Sequence, residues 1–308
     1  EQHALSFESK GHQVERLNIS AELGNKSWGL GLNRRFFPLV RKIRAADKVY
    51  VHYQVSMYQD WSRHSPLLKY LVPHLLLAYI GLRYSKKLEI IVHEFSYKLY
   101  PHSSKYFQWA AAALFFLVAP RLHFHTEYER SAFTKVFFEK KEAEVLPPNA
   151  FYRQRSQLNQ DQAREVHSLP KDQRIFLCIG FFHPGKGFAE FAEIFRNLHE
   201  VNALKPSAHL YIVTSVRLAA DVQNKALLDS LFARVQTCAF IHVINRYISD
   251  EEFDHWIVAS DFVVSPYLYG FTSSIVARAS LYNKPCILSA VGGLPEQASE
   301  KDHVYSSP

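Results

Sequence analysis

At 308 residues and 48% hydrophobic content the chain exceeds one ordinary domain and has ample material for a core, which excludes a disordered protein. Its formal net charge of +7 is unevenly placed: residues 1–150 hold 21 Lys+Arg against 13 Asp+Glu, and residues 151–308 hold 15 against 16. A basic first half suits an acidic partner, a phospholipid surface or a pyrophosphate-linked acceptor, while the scatter of its Lys and Arg argues against nucleic acid.

In chain order, Glu1 to Ile19 reads as the tail of a helix, a stop at Gly11 and then a strand. A Gly- and Trp-bearing loop follows and leads into a helix with Arg34, Arg35, Arg41, Lys42 and Arg44 on one face. That face is either solvated or set against an anionic surface. Lys48 to Tyr53 is a strand, with His52 on it. Pro66 to Arg83 is an aromatic-rich amphipathic helix, and Leu88 to Val92 is the next strand, with His93 and Glu94 at its carboxyl end. Pro101 to Val118 is helical and contains the longest apolar run, Trp109 to Ala119, too short to span a bilayer and read as a buried helix. Leu122 to Thr126 is a strand, Glu127 opens a helix, and Glu144 to Leu146 is a final short strand. His123 and His125 alternate on one strand face, and with no third ligand identifiable they make no metal site.

Beyond Pro147-Pro148-Asn149 the composition turns polar, and Phe151 to Gln173 reads as a linker carrying one helix. Strands are expected at Ile175–Gly180, His209–Thr214, Ala239–Val243, Phe262–Ser265 and Cys286–Ser289, with helices between them. The last two form a βαβ unit. Pro266 stops one strand because proline has no N–H for a ladder, Ser273 and Ser274 sit where an N-cap sits, Asn283-Lys284-Pro285 ends the helix, and Gly292-Gly293 turns the chain. Such a unit implies a parallel sheet with a right-handed crossover, and its helix start is a site for phosphate. Cys178, Cys238 and Cys286 show no metal-like spacing and suit a reducing compartment.

Asp261, Pro266, Gly270, Ser273, Ser274, Lys284, Pro285, Gly292, Gly293, Pro295 and Glu296, together with Cys178 to Phe195 (CIGFFHPGKGFAEFAEIF), resemble the signature regions of retaining GT-B glycosyltransferases of family four, the glycogen-synthase-like group. The resemblance implies an α/β fold of two Rossmann-like parallel-sheet domains facing across a crevice. Residues 1–150 would be the acceptor-side domain, 151–173 the linker and 174–308 the nucleotide-sugar domain. Both ends look truncated against the family's length. The implied donor is a nucleotide-diphosphate sugar. The implied reaction is transfer to a saccharide or lipid-linked acceptor with retention, without a metal or other cofactor, in bacterial polysaccharide or glycolipid assembly. The implied setting is cytoplasmic, at the inner face of a membrane.

Lys186 is the sharpest candidate. Set between Gly185 and Gly187, it is placed to neutralise the diphosphate as charge grows on it in the transition state. Donor binding is expected from Gly180, His183, Lys186, Gly187, Thr272, Ser273, Ser274, Ile275 and Arg278. His183 takes the place of an arginine common in the family, and Arg278 lies one turn into the helix. His93 matches a histidine that the family places near the donor sugar, so His93 and Lys186 are the catalytic candidates. His52 and Glu94 stand on the acceptor side. One departure is large: the family's paired glutamates fall at Gly270 and Arg278, neither acidic. A GT-B-shaped binding or scaffold subunit without transfer is therefore the alternative reading.

Overall fold

The computed structural model describes residues 8, 10–15, 36–54, 66–94, 105–139, 142–146, 152–216, 222–270 and 272–306. The expected opening strand, the Trp28 loop, Arg34 and Arg35, the start of the Pro101 helix and Pro147-Pro148-Asn149 lie outside them. The chain divides into two compact units, Gln13–Pro147 on one side and Glu1–His12 with Pro148–Pro308 on the other.

The first unit carries a four-stranded parallel sheet in the order β1 (Val49–Gln54), β2 (Leu88–Glu94), β3 (Leu122–Phe124), β4 (Ala143–Val145). Parallel neighbours need crossovers, and helices supply them: α2 (Pro66–Arg83) joins β1 to β2, α3 (Lys105–Val118) joins β2 to β3, and α4 (Glu127–Val136) joins β3 to β4. Helix α1 (Phe36–Ala45) precedes β1. The apolar pattern of α2 and α3 turns one stripe of each inward: His74, Leu77, Ala78 and Ile80 are buried on α2, and Ala112, Phe115 and Phe116 on α3. Their outer residues remain wet, with Leu82 and Leu117 67% and 65% exposed, so the apolar run in α3 is buried on one face only. No helix among the described residues is long and apolar enough to cross a membrane. Tyr53, fully buried, anchors this core: its hydroxyl lies 2.8 Å from His74 Nε2, and its ring meets Phe116 at 4.9 Å.

The second unit carries a six-stranded parallel sheet. Its members are β5 (Arg174–Phe181), β6 (Ala208–Ser215), β7 (Ile241–Asn245), β8 (Phe262–Ser265), β9 (Cys286–Ser289) and β10 (His303–Tyr305), ordered β10-β9-β8-β5-β6-β7. β5 and β6 are nearly continuous hydrophobic runs, as strands covered on both faces must be. On one face lie α6 (Phe188–Glu200) and α7 (Val222–Val235), packing Phe188, Phe195, Leu228 and Leu231 against Cys178, Leu210 and Ile212. On the other, α8 (Asp250–Ala259) and α9 (Ser274–Leu281) pack Trp256, Ile257, Ile275 and Ala279 against Ile175, Leu177 and Val263. A four-residue helix, α10 (Leu294–Gln297), follows the Gly292-Gly293 turn.

β8 and β9 fall where the sequence places them, β7 lies two residues later than expected, and β10 was not anticipated. Residues 152–173, read as a linker with one helix, hold α5 (Gln160–Val166), opened by a reciprocal Asn159–Gln162 capping box. This segment is fastened to the second unit. Tyr282 Oη accepts the N–H groups of Arg155 and Ser156 at 2.8 and 3.0 Å, and Arg164 Nη2 reaches Asp261 Oδ2 at 2.7 Å.

Candidate functional site

In the second sheet the chain runs outward from β5 through β6 to β7, then returns to lay β8 on the other side of β5. The carboxyl ends of β5 and β8 therefore flank a topological switch point, where open α/β sheets bind their ligands. The turn after β5 and the helix start after β8 meet there.

The turn after β5 is built by its glycines. Gly187 has φ +65°, and a Cβ on it would stand 2.0 Å from the Pro266 carbonyl oxygen, so only glycine fits. His183 stabilises the turn from the other side, its Nδ1 accepting the Gly185 N–H at 3.0 Å, a bond that only an unprotonated Nδ1 makes. That bond gives His183 a structural task in the turn. Between these residues Pro184–Lys186 forms one turn of 3₁₀ helix, which throws the Lys186 side chain back over the strand end. Gly180, at φ +117°, makes room for it: a Cβ there would lie 2.7 Å from Lys186 Nζ and 3.3 Å from Ile275 Cδ1. The Gly180 carbonyl accepts from Thr214 Oγ1 at 2.7 Å, which fixes that peptide.

Lys186 Nζ stands 5.7 Å from the centre of the Phe188 ring and 5.9 Å from that of Tyr267, and no carboxylate pairs with it among the described residues. Burial between these rings pushes its pKa down to about 8. An ammonium so placed is short of an anion.

The helix start opposite is α9. Ser273 is its N-cap: its Oγ accepts from Val276 N at 3.5 Å and lies 3.0 Å from Tyr267 Oη. The backbone of Ser273 is also taken. Its N–H donates to Gln297 Oε1 at 2.7 Å, and Gln297 Nε2 donates to its carbonyl at 3.0 Å. Ser273 thus shapes the site, the Ser274 hydroxyl is bonded to the Tyr152 side chain, and the groups left for an anion are the N–H groups of Ser274 and Ile275, which have no acceptor within the helix. Thr272 is part-buried just ahead of the cap. Sequence reasoning missed Gln297.

Arg278 does not join them. Its Nε donates to Asp254 Oδ1 at 2.7 Å, its Nη1 lies 3.2 Å from Asp250 Oδ1, and its plane sits 4.0 Å from the centre of the Phe253 ring. Those pairings bind α9 to α8 and leave no fork for a phosphate. Gly270 is part-buried, and a Cβ on it would meet Tyr267 Cδ2 at 3.3 Å.

In the first unit, His52 on β1 and His93 on β2 are in direct contact, His52 Nδ1 lying 2.7 Å from His93 Nε2. His93 Nδ1 in turn lies 3.3 Å from Nε2 of His125, which the sequence did not mark for this role. Burial pushes His52 down to about 4 and His93 down to about 3, so both rings are neutral at pH 7. Glu94 ends β2. His123 turns to Glu89 at 3.1 Å, and no group of three metal-ligating side chains stands ready for a metal among the described residues.

No protein-family model matches the chain, and no curated protein matches it either. Solved structures do. HepE from Anabaena, in complex with UDP and glucose, superposes with a TM-score of 0.60 at 13% identity, over 94% of this chain and 70% of that one. Sucrose-phosphate synthase from Thermosynechococcus elongatus gives 0.60 at 15% identity, over 89% and 64%. A UDP-forming α,α-trehalose-phosphate synthase from Burkholderia xenovorans gives 0.56 at 14% identity, over 83% and 61%, so the chain spans less than two thirds of the length of these last two. The likeness is one of fold: the chain has the α/β, two-sheet architecture of GT-B glycosyltransferases.

Proposed function

We propose that this chain is a glycosyltransferase that takes a sugar from a nucleoside-diphosphate sugar and passes it to a saccharide or lipid-linked acceptor. The observation that carries the reading is the part-buried Lys186 ammonium, with no carboxylate partner among the described residues, at the switch point opposite the helix-start N–H groups of Ser274 and Ile275. In this reading a diphosphate lies between them, and both gain as charge moves onto the leaving group. That the neighbours in fold include proteins solved with UDP and UDP-glucose supports a uridine nucleotide as first choice. In this reading no metal is needed, because Lys186 and the helix start supply the positive field. Retention follows the family resemblance. Polysaccharide or glycolipid assembly at the cytoplasmic face of a bacterial membrane is the setting that fits the basic first half.

A second reading has an observation of its own. Arg278 is tied to Asp250 and Asp254, and Gly270 carries no carboxylate, so the two positions that hold glutamates in the family offer nothing to a donor sugar. A chain that binds nucleotide-sugar without transferring it would look like this.

Lys186→Ala separates the readings. A transferase should lose roughly 100- to 1000-fold in kcat and less in donor affinity, since the missing charge matters most in the transition state. Donor binding by the wild-type protein with no sugar released to any acceptor supports the binding subunit. Unchanged binding and turnover in Lys186→Ala would place the site elsewhere and overturn both.

A further inference from the structure

Residues 152–156 belong to the second unit, form no helix or strand, and are fastened to both ends of α9. At the carboxyl end the fastening is dense. Gln154 Nε2 donates to the Leu281 carbonyl, and Tyr282 Oη accepts the N–H groups of Arg155 and Ser156. Arg155 Nη1 donates to Asp250 Oδ2 at 2.7 Å, and the Arg155 N–H also lies 3.1 Å from Asp254 Oδ2. Those two carboxylates are the ones that hold Arg278, so this segment, α8 and α9 share one network. Two residues before Gln154, Tyr152 reaches the opposite end of the helix, where its side chain bonds that of Ser274.

Ser274 opens α9. A serine hydroxyl has one proton and two lone pairs, so accepting from a neighbour leaves it a proton to give. A phenol is far more acidic than an alkyl hydroxyl, and the stronger order therefore has Tyr152 donating and Ser274 accepting. Burial pushes the phenol above its ordinary 10.0; the Ser274 bond and Arg278 push back less, and Asp250 adds to the rise. Tyr152 is thus a neutral donor near pH 7. The Ser274 proton is left to turn outward, at the helix end where the N–H groups of Ser274 and Ile275 have no acceptor within the helix. Hydrogen bonds in series polarise one another, so a hydroxyl that accepts from a phenol donates more strongly. Arg278 and Asp250, the charged groups that face Tyr152, are already bonded to each other, and a neutral phenol sets no negative charge beside an anion.

We propose that Tyr152 is a positioning residue for a nucleoside diphosphate: by donating to Ser274 it turns the Ser274 proton onto a phosphate oxygen at the start of α9. The assignment rests on the glycosyl-transfer reading for its ligand. It adds a third donor to the two helix-start N–H groups, and it makes a residue ahead of the second sheet part of the donor grip. Tyr152 acts on the phosphate only through Ser274. Its effect on binding must therefore vanish when the Ser274 hydroxyl is removed and persist when that hydroxyl is kept.

The test is UDP binding by the full chain, measured by titration calorimetry near pH 7. Tyr152→Phe, which keeps the ring and drops the hydroxyl, should bind UDP about fivefold more weakly than the wild type. Ser274→Ala should bind about tenfold more weakly, and adding Tyr152→Phe to it should cost nothing further. Ser274→Thr keeps the hydroxyl and should bind nearly as the wild type does; in that background Tyr152→Phe should again cost about fivefold. A tyrosine that served only to pack the segment would cost the same in all three backgrounds, and that result overturns the proposal. So does a Tyr152→Phe protein that binds UDP as tightly as the wild type or more tightly, or a Ser274→Ala protein with undiminished affinity. A wild type that binds neither UDP nor GDP nor ADP sinks the glycosyl-transfer reading and this assignment with it, whereas a wild type that binds UDP without regard to Tyr152 sinks the assignment alone.

Discussion

A lysine ammonium with a pKa near 8 is held against the preference of the fold, and that strain has a measurable sign. Its ordinary value is 10.5, so between about pH 8 and pH 10.5 the unfolded chain binds a proton that the folded chain does not. Stability therefore rises with pH across that window, and at pH 7 the full penalty of the desolvated cation is present. Lys186→Met, which keeps the length and drops the charge, should stabilise the ligand-free protein at pH 7 by about 1–3 kcal/mol, with the gain shrinking as pH is raised through the window. If the wild type is thermally stabilised by a nucleoside diphosphate, as the proposed function requires, the same variant should lose that stabilisation. Chemical denaturation at pH 7 and pH 10, each with and without UDP, reads all of this. A variant less stable than wild type at pH 7 would mean that Lys186 has a partner in the free protein.

At the scale of elements, the helix start of α9 depends on α10, and the dependence is a single amide. Gln297 receives the N–H of Ser273 and donates to its carbonyl, which also accepts the Ala277 N–H as the first bond of the helix, so it is the N–H that has no other partner among the described residues. Gln297→Ala would strand the Ser273 N–H and leave its carbonyl to the Ala277 N–H alone, and it should cost about 1–3 kcal/mol in urea unfolding and weaken nucleotide binding. Gln297→Glu accepts the N–H but cannot serve the carbonyl, so it should recover only part; full stability in Gln297→Ala would show the segment finding other partners. The contact also marks how far the sequence could be read. β8, α9 and β9 were legible to within a residue because proline, a serine cap and Asn-Lys-Pro punctuate an apolar run. Lys186 was legible because two glycines frame it. Three residues of β10 are too few to show a period, and β7 slid by two because the TCAFIHVIN stretch is apolar beyond the strand itself. Gln297 and His125 meet their partners across 24 and 32 residues of chain, and no local pattern announces a contact of that kind.

At the scale of the molecule, the uneven charge gives the first unit a property that its sheet alone does not. The outer face of α2 shows Leu75, Tyr79 and Leu82 at 39%, 49% and 67% exposure, spaced four and three apart and so in one stripe. Exposed Arg83 and Lys86 stand at the end of that stripe. The basic helix α1 is less available than its composition implied: Lys42 Nζ lies 2.9 Å from Glu15 Oε1. Apolar residues flanked by cations are the chemistry of a helix that lies on an anionic bilayer, where each cation near the surface adds about 1 kcal/mol and the attraction decays within a Debye length of roughly 8 Å at physiological salt. The expected result is sedimentation with vesicles containing phosphatidylglycerol, falling steeply between about 0.05 and about 0.5 M salt and absent with phosphatidylcholine alone. Tyr79→Ser with Leu82→Ser should leave the salt dependence and lower the affinity, whereas Arg83→Gln with Lys86→Gln should flatten the salt dependence. Binding that ignores both lipid charge and salt would leave the +8 balance of residues 1–150 to a soluble anionic acceptor, and the membrane setting would go with it.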